Sequence, residues 1–431
     1  MSGTLAGRHI TALACFDSFG KMAMTLLARC RREGASTTLH LLELPRRSLS
    51  RRQRLEIRRI DPRTRVEQHG WGKLGKLVKS MPGCCDALVL GLDGQRSRQI
   101  LLELQRRWHS KLNRPLLVSA YPGILFRHQL EGMMDRSGAD LLCLNSSTDF
   151  ETYALGCEAL GIDASNAVVT GLPILWDLAP RLQVPDRASI VFFEQPSIPA
   201  NPLQRRYLCT QLLRLAECWP DHQVIFKPRT SSLESTLHRS HGEMTKLISK
   251  LATRVDNLRI SLQPAQRLLR QSGCAITISS SAALEAMAMG VSTRIVADLG
   301  VNESLGNHYF AGSGALADFD AIAADPFTPK HNSEWLASRG YDLAGSHRFA
   351  TALAVQLAKP SRPLERSEGG PPGWGSASWQ SFALAHGGPL MLSSAGSRST
   401  LRKRHRTLEV LRWIRIYMVG VAKLAPWLKG R

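Results

Sequence analysis

Two short stretches carry the residue types that handle phosphate and sugar. The first is "ISSSAALEAMAMGVSTRIV", Ile278 to Val296. Ser279, Ser280 and Ser281 stand between a β-branched run and an Ala/Met-rich helical pattern whose single acid is Glu285. Serines at a helix start combine hydroxyls with backbone N–H groups that lack intrahelical partners, at the positive end of the helix dipole. That combination is a phosphate cradle. A carboxylate one turn into the helix can accept two hydrogen bonds from vicinal hydroxyls such as those of a ribose. The same residues also read as a plain N-cap, Ser281, with a first-turn dipole partner, Glu285. Taken alone, the pattern leaves both readings open. The second stretch is "IFKPR", in which Lys227 and Arg229 flank Pro228 at an expected strand end. An ammonium point charge and a guanidinium fork suit one phosphate group. Two solvated cations at a strand end are the equal alternative.

A transfer reaction also needs a base. Asp17, in "CFDSFGK" after the first expected strand, is the best-placed carboxylate, although an Asx-type turn or helix cap explains it as well. Asp93 in "GLDGQ" has a stronger turn reading because glycines flank it, and a lone His308 is most simply a packed, hydrogen-bonded residue. No H-E-x-x-H, no paired C-x-x-C and no D-x-D at an expected strand end is found, so neither a metal nor a bound cofactor is expected.

These residues must be positioned by strand ends. "HITALACFDSFGKMAMTLLARCRREGASTTLHLLEL" reads as strand, loop with Gly20, helix, glycine stop at Gly34, strand. Further short apolar runs follow at Asp86 to Leu92, Arg114 to Gly123, Ala139 to Ser146 and Asn166 to Leu178, separated by helical stretches. The alternation predicts an α/β domain over residues 1–180. It restarts at Ala188 and continues through "HQVIFKPR", "NLRISL" and "CAITISSS", predicting a second α/β domain over 187–358 after a hinge near 179–187. The Ser/Gly/Pro-rich segment 359–400 reads as a flexible linker, and 401–431 as a basic amphipathic tail.

The wider pattern around Glu285, S-x-x-x-E-A-x-A-x-G followed by a strand, resembles the nucleotide-sugar segment of GT-B glycosyltransferases and of UDP-GlcNAc 2-epimerases. The resemblance implies two Rossmann-like domains in tandem, with Glu285 on the donor's ribose. The serines resemble the Ser-Ser motif of bacterial sialyl- and polysialyltransferases, which binds the nucleotide phosphate, and "IFKPR" resembles their basic Lys/His-Pro motif. "EQPSIP", Glu194 to Pro199, resembles an uncharacterised family of bacterial glycosyltransferases. Asn302, Glu303 and His308 fall in the loop that faces the donor in GT-B folds, which implies sugar contacts. Retaining enzymes of this fold carry a second Glu eight residues before the ribose Glu. Thr277 stands there, so the likeness implies an inverting transfer from a nucleotide-activated sugar, without a metal.

The formal charge of +21 favours anionic partners. It gathers in Pro45 to Arg65, with nine arginines, and in Arg402 to Arg431, with nine Lys/Arg against Glu409. Both blocks read as solvated faces outside the cleft, and the tail also suits an anionic membrane surface. No signal peptide or apolar run long enough to span a bilayer is evident, and nine cysteines without zinc spacing fit a reducing compartment. The expectation is a cytoplasmic enzyme, docked at the inner membrane face when its acceptor is a lipid-linked or surface glycan. A nucleotide-sugar 2-epimerase and a basic nucleic-acid-binding protein remain the alternatives.

Overall fold

A computed structural model describes residues 3–44, 48–109, 111, 113–125, 129–178, 180, 189–229, 243–359 and 374–385. The expected hinge lies almost wholly outside them, and the tail 401–431 entirely so.

Two parallel sheets form the frame. The first contains β1 (His9–Ala14), β2 (Ser36–Glu43), β3 (Arg65–Gly70), β4 (Ala87–Gly91), β5 (Leu116–Ser119), β6 (Leu141–Leu144) and β7 (Ala167–Val169). Its strand order is β3-β2-β1-β4-β5-β6-β7. The second contains β8 (Ser189–Phe193), β9 (Val224–Lys227), β10 (Leu258–Ile260), β11 (Ser272–Thr277), β12 (Ser292–Val296) and β13 (Leu316–Ala317), in the order β10-β9-β8-β11-β12-β13. Central strands such as β4, "ALVLG", and β8, "SIVFF", are buried throughout. They read as continuous apolar runs because helices cover both faces of a parallel sheet.

Both sheets reverse direction at one point, between β1 and β4 and between β8 and β11. In an open α/β sheet the crevice outside the carboxyl ends of those strands is where ligands bind. Asp17 follows β1, Glu194 follows β8, and Ser279 follows β11. Lys227 ends β9, next to β8.

Three sequence expectations need correction. Gly20 is not in a loop: helix α1 spans Asp17–Arg32 and begins directly after Phe16. Phe16 takes φ 62 and ψ 159, a conformation that costs a non-glycine residue about 1–3 kcal/mol. That strained corner is what places Asp17 on the first turn. Next, the arginine block is not a plain solvated run. Helix α2 (Arg51–Ile60) occupies it, started by a capping box in which Ser50 Oγ accepts from the Gln53 N–H while Gln53 Oε1 accepts from the Ser50 N–H.

The third correction concerns the C-terminal boundary. The helix Gly345–Ala358 buries Phe349 and Leu353 in the core of the first sheet, and Arg348 Nε donates to the Val169 carbonyl at 3.0 Å. Beyond it, Trp374 and Trp379 stack at 4.5 Å and are fully buried in the same core, with Trp374 Nε1 donating to Ser137 Oγ at 2.7 Å. The helix Ala377–Ala385 is thus a packed element inside the expected linker. Ser, Gly and Pro dominate the composition there, but two large indoles supply the apolar area that decides packing.

Candidate functional site

The first lobe contributes a charged chain that starts at Asp17. On α1, Lys21 lies one turn on, so its Nζ reaches Asp17 Oδ2 at 3.0 Å. The same Nζ reaches Glu56 Oε2 on α2 at 2.7 Å, and Arg52 Nη1 reaches Glu56 Oε1 at 2.5 Å. Gly20 makes this possible. A Cβ there would stand 2.6 Å from Ile57 Cδ1, so glycine at position 20 lets α1 and α2 pack closely with Ile57 where it is. Burial pulls the pKa of Lys21 down, but the Asp17 and Glu56 carboxylates outweigh it and hold Lys21 above its ordinary value. Burial likewise opposes the charge on Glu56, and Lys21 and Arg52 together keep its pKa below the usual range. Asp17 Oδ1 is buried and has no hydrogen-bond partner among the described residues.

The second lobe meets this chain with cations of its own. Lys227, 8% exposed, has its pKa lowered to about 8. Burial is the main cause, aided by Arg52 and Lys21 and opposed by Glu56 and Asp17, so residues of both lobes lie within electrostatic reach of one ammonium. Arg229 reaches solvent, and Asp17 is near enough for its charge to act on it. Beneath these cations lies Glu194, which the sequence reading passed over. It is buried, which raises its pKa against the opposing effects of Arg205, the Arg229 backbone N–H that it accepts from, and Lys227. Glu194 therefore fixes the strand end that presents both cations.

The serines divide. Ser279 is buried and fully engaged: its N–H donates to Gln195 Oε1 at 2.7 Å, its Oγ donates to the Leu305 carbonyl at 2.6 Å, and Gln195 Nε2 donates to that Oγ at 2.9 Å. Its hydroxyl ties β11 to "EQPS", so the expectation of a phosphate ligand at Ser279 is corrected to a positioning role. Arg205 anchors the other end of that loop through the Pro196 and Pro199 carbonyls. Ser280 and Ser281 are only partly buried and stand at the start of the helix Ala282–Ala288. Ser280 Oγ accepts from the Ala282 N–H at 3.3 Å, whereas Ser281 makes no side-chain cap, contrary to its N-cap reading. Glu285 is 4% exposed and its pKa is raised to about 7 by burial, against a hydrogen bond with Gln266 and the charges of Lys21 and Lys227. The acid is thus inside the protein, within electrostatic reach of the same cations.

The other candidates lie in loops and at helix starts. Asn302 Oδ1 accepts from the Leu305 N–H and Ser304 Oγ and closes its own turn. Glu303 is exposed and His308 half-buried in the same loop, which Asn307 anchors to the Val296 and Gly300 carbonyls. Asp93 caps the helix Gly94–Trp108 through the Arg96 N–H, as its turn reading holds. One D-x-D does follow a strand, Asp318-Phe319-Asp320 after β13. Asp318 caps the next helix and Asp320 pairs with Arg214 at 2.7 Å, so neither is a free ligand. Thr277, where a retaining enzyme of this fold has its second Glu, is buried and donates to the Phe193 carbonyl at 2.9 Å.

Solved structures resemble the whole frame at low identity. A "putative UDP-N-acetylglucosamine 2-epimerase" from Listeria monocytogenes aligns with TM-score 0.56 and 14% identity over 84% of this chain and 100% of that one. UDP-GlcNAc 2-epimerase from Neisseria meningitidis, bound to UDP-GlcNAc, gives 0.53 and 11% over 80% and 99%. UGT89C1 from Arabidopsis thaliana, complexed with UDP-L-rhamnose, gives 0.54 and 12% over 82% and 99%. These likenesses establish the fold, two Rossmann-like domains of GT-B type. No curated protein matches the sequence. Among the described residues no helix is long and apolar enough to cross a membrane. The family model described as "Putative glycosyltransferase (DUF6716)" matches residues 10–355, and the chain belongs to that family.

Proposed function

We propose that the protein transfers a sugar from a nucleotide-activated donor to an acceptor hydroxyl, with inversion and without a metal at the donor site. What supports this reading is the placement of Asp17 just after β1, Lys227 at the end of β9 and Glu285 on the helix after β11, at the carboxyl ends of both sheets, with Lys227 within electrostatic reach of Asp17, Lys21 and Glu56. Lys227 and Arg229 hold the donor diphosphate and stabilise the charge that develops as it departs. The backbone and hydroxyls of Ser280 and Ser281 contact the same anion, and Glu285 accepts from the ribose. Asn302, Glu303 and His308 line the sugar side. Asp17 is the base: it takes the proton of the acceptor hydroxyl as that oxygen attacks the anomeric carbon and the carbon–phosphate-oxygen bond breaks. The nucleotide leaves with both electrons of that bond.

The solved relatives that hold UDP-sugars make uridine diphosphate the first nucleotide to test. For the acceptor we infer a lipid-linked or surface glycan at the inner membrane face, supported by the basic tail 402–431. Calorimetry with a panel of nucleotide diphosphates and CMP, on the wild type and on Glu285→Ala, tests the site. Affinity that is unchanged by the substitution rejects it. Incubation with UDP-GlcNAc separates the epimerase reading, since free ManNAc appears only if that reading holds. Nucleic-acid binding that is steeply salt-dependent and survives Lys227→Ala would favour the third reading.

A further inference from the structure

Far from the serine loop, two strands bring three metal-ligating side chains to one point. His40 on β2 stands opposite Glu67 on β3, and His69 follows Glu67 by two residues. Alternation along a strand puts residues two apart on the same face, so all three side chains share it. His40 Nδ1 lies 3.1 Å from His69 Nε2 and 3.4 Å from Glu67 Oε2, and His69 Nε2 lies 3.3 Å from the same Oε2. The three atoms form a nearly equilateral triangle.

Protons alone account poorly for that triangle. A single N–H satisfies one edge and leaves lone pairs opposed along another. Two N–H groups aimed at the carboxylate would make bonds of 3.3 and 3.4 Å, longer than the usual ~2.7–3.2 Å, and would face each other at 3.1 Å. One cation at the centre meets all three lone pairs together. The size fits as well: ligand atoms ~2.0–2.1 Å from a tetrahedral zinc ion stand about 3.3–3.4 Å apart.

We propose that His40, Glu67 and His69 form a zinc site in the first lobe, separate from the donor cleft, with water as the fourth ligand. Two imidazoles and a carboxylate are a borderline-soft set that suits Zn2+ rather than Mg2+ or Ca2+. Arg65 Nη2 holds the other carboxylate oxygen, Glu67 Oε1, at 2.6 Å, which fixes the orientation of the ligand. The side chains of Glu67 and His69 are 29% and 21% exposed, so an ion has a path in and room for its water. His40 is buried, so its ring is held in place by the packing around it. The ion would tie edge strand β3 to β2 immediately before Trp71. The Trp71 ring lies 5.8 Å from the Arg96 guanidinium, which also sits 5.4 Å over Phe16, the corner that sets Asp17.

Cobalt(II) reports on such a site directly. The full chain, with any histidine tag removed, is stripped with chelator and titrated with Co2+ at neutral pH. The expected result is one equivalent bound, with the visible bands of tetrahedral cobalt, and displacement by one equivalent of Zn2+. Glu67→Gln and His69→Ala, both on the exposed edge strand and verified as folded by far-UV circular dichroism, should each weaken binding by about tenfold or more. The absence of tetrahedral bands in the wild type, or binding as tight in both variants as in the wild type, overturns the proposal.

Discussion

The ammonium of Lys21 holds one oxygen of Asp17 at 3.0 Å and leaves the other, Oδ1, buried without a partner among the described residues. A buried polar atom without a partner costs free energy, about 1–3 kcal/mol, and under the proposed function this oxygen takes the acceptor proton. The strained Phe16 corner adds to that cost and keeps the carboxylate in position.

Asp17→Asn should therefore lower kcat by about 100-fold or more while leaving donor affinity within about threefold, because a general base acts on the acceptor and not on the nucleotide. Steady-state kinetics and donor titration on one preparation separate the two quantities. A variant that retains most of its kcat would remove Asp17 from the chemistry.

Under the proposed function, Lys227 sets the pH range for donor binding. Its pKa in the folded protein is lowered to about 8 from an ordinary 10.5. It is charged at neutral pH and loses its proton as the pH passes 8. Donor affinity should therefore fall by up to about tenfold per pH unit above that point. Lys227→Arg keeps its charge throughout and should flatten the profile, even if its fork fits the phosphate less well. Calorimetric titration of nucleotide between pH 6.5 and about pH 9.5 checks both.

Glu285 gives a stability signature of opposite origin. Its folded pKa, about 7, lies above the unfolded value, so the folded state binds the extra proton between those limits. The contribution of Glu285 is then fully present below pH ~4.5 and is lost as pH rises towards 7, by about 3 kcal/mol over the window. Glu285→Gln cannot ionise. Its melting temperature relative to the wild type should rise from pH 5 to about pH 7 and level off above it, measured without nucleotide. A constant difference across that range would mean that the carboxyl is not desolvated as the geometry requires.

The two lobes and their strand-end residues were legible because parallel sheets write themselves as apolar runs between helices. Asp17, Lys227, Arg229 and Glu285 each follow or close such a run. The polar partners were not legible. Strand β3, "RVEQHG", has no apolar periodicity, and α2 hides Arg52 and Glu56 among arginines that look like a solvated face. Their placement depends on the close α1–α2 contact at Gly20 and Ile57, which is a three-dimensional fact. Ser279 was misread for a related reason: its hydroxyl is used by Gln195 and Leu305, which lie 84 and 26 residues away.

Residues 374–385 offer the sharpest test of packing against composition. If they were a linker, Trp374→Ala would change stability by less than about 0.5 kcal/mol, as at ordinary surface sites. Trp374 is instead fully buried, stacked on Trp379 and hydrogen-bonded to Ser137, in the core of the first sheet. Its removal should cost about 3–5 kcal/mol through lost burial and the cavity left behind. Two domains need not unfold together, so the quantity to read is the urea midpoint of the transition that reports the first lobe. Nucleotide affinity should be unchanged, because Trp374 packs in the core of the first lobe, away from the proposed donor site on the second sheet. A first-lobe transition that does not move would return this segment to the status of a tether.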